Sequence, residues 1–402
     1  MKMFFRVLGL CLLFQLGATL SAQQKPVPKV RLKAHVAVAP ARDHNGRILS
    51  PAEVSATLPV FTYNVTSSRD GNNYTGVMVG QDPFNGGGTT NVPTQIVPLI
   101  ITTDSVAYKL SSSGVLSTKQ GTTKFDPTAP DSNCMAAPNN VALSLAQQSP
   151  IFQANNFKFG HTAVGKTQYL DAYQRANFWQ SVQGTNYHTL LSPVKTLAPI
   201  SLDLSGNNSL AISAALFGSC GPLGIVDINT LFPILVSLTQ SLAPQGVSPS
   251  TFPIFLLYNV VMSEGSPANL NLCCVLGFHG ASGSPAQTFS PIDFDTTGLF
   301  GGIEDTSIMA HEVGEWMDDP FGNNPTPLWG HTGQVGGCQG NLENGDPLTG
   351  TNIPVVKGAN GFNYHLQELA FFSWFYGAPS IAANGWFSDN NTFTTDAGPV
   401  CQ

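Results

Sequence analysis

Apolar and polar positions alternate along the first third of the chain and gather into longer apolar runs beyond it. Leu58 to Val65 alternates, Tyr74 to Val79 follows a Gly/Asn turn, and Ile96 to Ile101 is continuously apolar. These patterns predict strands from Glu53 to about Leu110, with Gly86 to Gly88 as a loop between them. From about residue 126 helix and strand mix. Helices are expected at Asn140 to Gln148, Tyr169 to Val182 and Val226 to Leu242, the last with Asp227 near its start. Phe252 to Met262 and Cys273 to His279 read as buried strands. A further helix follows, with Asp305 or Thr306 as N-cap and Pro320 as its stop.

That last helix carries the chemistry. His311-Glu312-Val313-Gly314-Glu315 places an imidazole and a carboxylate four residues apart, which stacks them on one helix face. Such a pair supplies two positions of a transition-metal site. Glu312 lies about 100° round the helix, where it can take a proton from a metal-activated water. The common form of the motif ends in a second histidine. A carboxylate there adds negative charge to the metal and makes its water less acidic.

A third ligand is expected downstream, in the stretch Cys338 to Asp346. Glu343 is the expected ligand and Asp346 the residue that orients one. Asp318, Asp319, His331, Glu368, His279 and His365 are the competitors, with Asp318-Asp319-Pro320 read first as the helix stop. His279, at the end of a strand, reads first as a hydrogen-bonded core histidine, and in a functional role it would stabilise an oxyanion or bind metal. Gly280 to Gly283 lacks the spacing of a serine-hydrolase elbow.

Several blocks resemble one family. Ala310 to Pro320 (AHEVGEWMDDP) looks like the AHExxExxxNP block of the plant phosphate-induced/EXORDIUM-like proteins and their bacterial relatives. Glu343 to Asp346 is similar to that family's EIGD-type block, and Gly361 to Gln367 to its closing G-x-x-Y-x-x-Q segment. Cys273, Cys274, Phe278 and His279 resemble a two-cysteine, Phe-His stretch there. The resemblance covers roughly residues 250–376 and implies a secreted protein with a zincin-like HExxE core. It carries no defined reaction with it. The chain departs from the plant pattern at Asp319, where Asn is usual, and in having its two cysteines adjacent.

Composition narrows the setting. Lys2 and Arg6, the apolar run Val7 to Leu16 and Leu20-Ser21-Ala22 read as a secretion signal over 1–22. That run is too short to span a bilayer, and no later segment reaches the roughly 20 residues required. Residues 23–50 carry Lys25, Lys29, Arg31, Lys33, Arg42 and Arg47 and read as a flexible basic arm or pro-segment. Only 10% of residues are charged, and the net charge of −7 makes nucleic acid an improbable partner. With Cys11 removed, an even set of cysteines remains, which in an exported chain suggests disulfides. Cys273 and Cys274 are expected to bridge to different partners, because a ring between neighbours is strained.

The expected architecture is therefore α+β: a β-rich subdomain over 51–125, then a zincin-like domain over 126–402 with a mixed sheet and the HExxE helix. The expected function is an exported metal-dependent peptidase, zinc being the metal, with His311, Glu315 and Glu343 as ligands and Glu312 as base. Its partner is a peptide or protein substrate. The rival is a non-catalytic secreted protein on the same scaffold that binds cell-wall glycan or a protein. The aromatic cluster Phe371, Phe372, Trp374 and Phe375 reads first as core packing and fits this rival as a binding surface.

Overall fold

The computed structural model describes residues 32–370 apart from 68–69, 112–113, 131–133, 135–140, 160, 214–217, 331–337 and 352. The signal segment, His331 and the aromatic cluster at 371–375 lie outside the described residues.

Among the described residues one large mixed sheet of twelve strands dominates and the chain is α+β, while the alternating stretches pair apart from it, Val60–Thr66 with Asn73–Val79. Its axis is the 23-residue strand Thr89–Ser111. The first half of that strand pairs in parallel with Phe252–Tyr258, and its second half with Ser209–Ile212. One long strand thus belongs to two half-sheets, which curls the whole. Beyond Phe252–Tyr258 lie Gln287–Phe294, His279–Ser282 and the edge strand Val38–Ala39. On the other side follow Leu223–Asp227, Val260–Ser263 and Cys273–Val275.

Successive side chains of a strand point to opposite faces, and the core divides accordingly. Ile254 and Leu256 join the cluster that holds Ile308, Met309, Val313 and Trp316. Phe255 and Leu257 face the other way, toward Leu231 and Leu235. The HExxE helix, Ser307–Asp318, therefore packs on one face and the helix Ile228–Ser241 on the other. The indole of Trp316 stacks flat on Phe252, with ring centroids 3.8 Å apart.

Several expectations change here. Within 51–125, Val60–Thr66 and Asn73–Val79 form a two-stranded sheet, while Thr89–Ser111 is the spine of the large one. The segment 32–50 is not a free arm. Leu32, Ala34 and Ala41 are buried, and backbone bonds run from Leu32 to Leu299, from His35 to Cys274 and from Ala41 to Phe321. The single helix expected at Tyr169 to Val182 is two, Tyr169–Asn177 and Trp179–Val182. Phe252 to Met262 is likewise two strands, because Asn259 adopts a left-handed φ of 52° that asparagine tolerates. Cys273 and Cys274 bridge each other across a cis peptide rather than separate partners, their Cα atoms 3.0 Å apart. Cys134 pairs with Cys220. Among the described residues no helix is long and apolar enough to cross a membrane.

Candidate metal centre

The helix Ser307–Asp318 begins after Thr306 and ends at Asp319, close to the expected caps. All of its side chains are buried, including His311, Glu312, Glu315 and Asp318. Burial of so many ionisable groups requires partners, and three segments bring them: the strand at His279, the turn 343–346 and the segment ending at Gln367.

Close approach is arranged by two glycines. A Cβ on Gly345 would lie 2.8 Å from the His311 ring, and one on Gly277 would lie 2.9 Å from Glu312 Cγ. With hydrogen in those places, the turn and the strand both reach the motif helix.

The site has two halves that share Glu315. In the first, His311 Nε2 is 3.1 Å from Glu315 Oε1 and 3.2 Å from Asp346 Oδ1. The amides of Gly345 and Asp346 donate to Glu315 Oε1 at 3.0 and 3.1 Å. Gln367 Nε2 sits 2.9 Å from His311 Nδ1 and donates to Gly345 O at 2.6 Å. As placed, Gln367 leaves the His311 proton on Nε2, between the two carboxylates.

In the second half, His279 Nδ1 faces Glu312 Oε2 at 3.6 Å, Glu315 Oε2 at 3.8 Å and Glu343 Oε2 at 3.6 Å. The other ring nitrogen, Nε2, donates to the carbonyl of Asp319 at 2.9 Å. That bond occupies the N–H donor of the neutral ring, which leaves none for the oxyanion role expected of His279.

Proton affinities follow the crowding. Burial opposes an imidazolium at His311, yet the Glu315 and Asp346 carboxylates outweigh it and hold its pKa well above the usual value. His279 is raised in the same way, against its burial, by Glu312 and Glu315. Burial lifts Glu312 to about 7 even though the two imidazoles pull it down. Burial also lifts Glu343, with Glu315, Asp319 and Asp346 adding to it. Glu315 alone is lowered, because His311 outweighs its burial.

The residues fit a metal on two counts. The triads His311–Glu315–Asp346 and His279–Glu312–Glu315 each bring donor atoms within 4.8 Å of one another. A tetrahedral site with bonds of about 2 Å sets its ligands roughly 3.3 Å apart, close to the spacing around His311. Moreover, His279 Nδ1, Glu312 Oε2 and Glu343 Oε2 are buried without a hydrogen-bond partner. Such atoms are uncommon unless something else satisfies them.

Of the expected ligands, His311 and Glu315 meet, while Glu343 lies against His279 rather than His311. Asp346, expected to orient a ligand, has its carboxylate beside His311. Asp319 serves as a stop: its carboxylate accepts the amides of Asn323 and Asn324 at 3.0 and 3.1 Å. Asp318 binds Asn344, and His365 pairs with Asp305 at 2.6 Å, away from the centre. Gln367 was not expected at the site. Its only trace in the sequence is its place at the end of the Gly361 to Gln367 block.

No family model, no curated protein and no solved structure matches this chain.

Proposed function

We propose that this chain is an exported metal-dependent peptidase of zincin-like type, with zinc as the metal and peptide or protein as substrate. One observation carries the reading: His311 Nε2, Glu315 Oε1 and Asp346 Oδ1 converge at 3.1 and 3.2 Å beside a buried glutamate in the HExxE helix. His311, Glu315 and Asp346 would hold the ion, with Gln367 beside His311 Nδ1 and anchored to the carbonyl of Gly345. Glu343 is the alternative third ligand, across Glu315.

When bound, a metal held there would supply Lewis acidity toward the peptide carbonyl and the attacking water. The rest belongs to the chain. Glu312, with its Oε1 3.9 Å from His311 Nε2 and its pKa near 7, takes the proton of the attacking water and returns it to the departing amine. The amides of Gly345 and Asp346 fix the Glu315 carboxylate. The strand pair His279–Ser282 and Gln287–Phe294, next to the motif helix, supports the zincin-like reading, as does the resemblance of its motif blocks to phosphate-induced/EXORDIUM-like proteins.

The test is Glu312→Gln assayed on a peptide library with metal content measured alongside. Loss of hydrolysis by about 10²-fold or more at unchanged metal content is expected. Cleavage that persists in the variant would exclude the mechanism. A second reading, a non-catalytic binding protein with a structural ion, is favoured by the near-complete burial of His311 and Glu312, 5% and 4% exposed. It predicts no turnover by the metal-loaded wild type on any peptide.

A further inference from the structure

We infer that His279 is a metal ligand, and that its Nδ1, together with Glu343 and the second oxygen of Glu315, holds a divalent cation adjacent to the one proposed at His311. Only the description of this ion as the second of a pair rests on the peptidase reading; the His279 position stands on its own geometry.

The first argument is the ring's orientation. Nε2 is bonded to the Asp319 carbonyl, so in a neutral imidazole Nδ1 carries the lone pair. A backbone carbonyl behind the ring is the arrangement that fixes a metal-binding histidine in its tautomer. The lone pair then points at three carboxylate oxygens, which repel it unless a cation or a proton lies between.

The second argument is distance. The gaps from Nδ1 to Glu312, Glu315 and Glu343 are 3.6, 3.8 and 3.6 Å, too wide for hydrogen bonds. Atoms that share one cation through bonds of about 2.1 Å are separated by roughly 3 to 4 Å. Three of the buried atoms without a hydrogen-bond partner, His279 Nδ1, Glu312 Oε2 and Glu343 Oε2, are gathered around this gap.

The third argument is charge. Glu312, Glu315, Glu343 and Asp346 are all buried, and an imidazole bound to metal is neutral. When all four are ionised, two divalent cations balance them, whereas one cation leaves the remainder to protons on groups such as Glu343 and His279. Glu315 is shaped to bridge, with Oε1 turned to His311 and Oε2 to His279. Glu312 spans both positions, Oε1 toward His311 and Oε2 toward His279, where a base can serve either ion. One nitrogen and several carboxylate oxygens suit Zn²⁺ or Mn²⁺, and paired ions bridged in this way are a known hydrolytic arrangement.

The experiment strips the mature protein with chelator, dialyses it against Zn²⁺ and counts bound zinc by elemental mass spectrometry. The wild type is expected to hold two equivalents, and His279→Ala, Glu343→Gln and His311→Ala one each. Loading with Mn²⁺ should give an exchange-coupled pair by electron paramagnetic resonance in the wild type and an isolated ion in Glu343→Gln. If His279→Ala fails to fold by circular dichroism, Glu343→Gln, which preserves side-chain volume, decides. One equivalent lost in His311→Ala but kept in His279→Ala and Glu343→Gln overturns the inference and leaves the peptidase metal in place. A wild type that holds a single equivalent, absent from all three variants, means one shared ion and also overturns it. One equivalent lost in His279→Ala and kept in His311→Ala upholds the His279 position while overturning the placement at His311. No zinc at all overturns both.

Discussion

The two longest helices among the described residues invert the usual relation between sequence and burial. Ile228–Ser241 is rich in Leu, Ile, Val and Phe, yet only Leu231, Leu235 and Thr239 of its 14 residues are buried. Ser307–Asp318 carries a histidine, two glutamates and an aspartate, and all 12 of its residues are buried. The first is an ordinary amphipathic cover, with one stripe on the sheet and the remainder half in solvent. The second is held inside against the cost of desolvating its charges. Apolar packing under Trp316 and Val313 offsets part of that cost, and the carboxylates need a positive partner for the rest. Burial follows from what surrounds a helix, and a charged helix inside a protein is a mark of chemistry.

Mutations should separate these two kinds of helix. Trp316→Ala removes a fully buried indole stacked on Phe252 and is expected to cost about 3–5 kcal/mol in chemical denaturation. A loss below ~1 kcal/mol would mean that the motif helix is not held by its apolar side. Gly345→Ala comes next. Its methyl group would press on the His311 ring, costing about 1–3 kcal/mol and weakening metal binding about tenfold or more, read by competition with a chromophoric chelator.

Asp318 gives the pH test. Burial raises its pKa from 3.8 to about 7, so the folded state binds a proton that the unfolded state has released. Its contribution is therefore fully present below about pH 4 and is lost as pH rises toward 7, at up to about 1.4 kcal/mol per pH unit. Asp318→Asn should flatten the stability profile over that window by one proton. An unchanged slope would place the titration elsewhere. The smallest effect belongs to the outer helix: Ile234→Thr, at a half-buried position, should change stability by no more than about 1 kcal/mol.

The motif helix was legible because its chemistry and its caps lie within a few consecutive residues, where spacing fixes geometry. The apolar strands were legible for the same local reason. What escaped depended on distant pairings. The strand Thr89–Ser111 contains Pro93 and Pro98, which argue against a central strand, and Pro93 falls at the register shift between Val92 and Thr94. Whether Glu343 or Asp346 reaches His311 is decided by a turn that Gly345 allows to press on the ring, and spacing in the chain does not encode it. The state of His279 is set by the carbonyl of Asp319, 40 residues away. A side chain's identity names its candidate chemistry, while its tautomer is fixed by a neighbour that only the fold supplies.

The short strand Val38–Ala39 bears on how the chain tolerates shortening. It pairs in parallel with His279–Gly280 and completes the border of the sheet. Trimming past it would bare a row of amide and carbonyl groups beside His279, a ready template for another strand. A chain that begins after Ala41 should therefore self-associate through the His279 strand, visible as a shift to larger species in light scattering, whereas one beginning before Leu32 should remain dispersed.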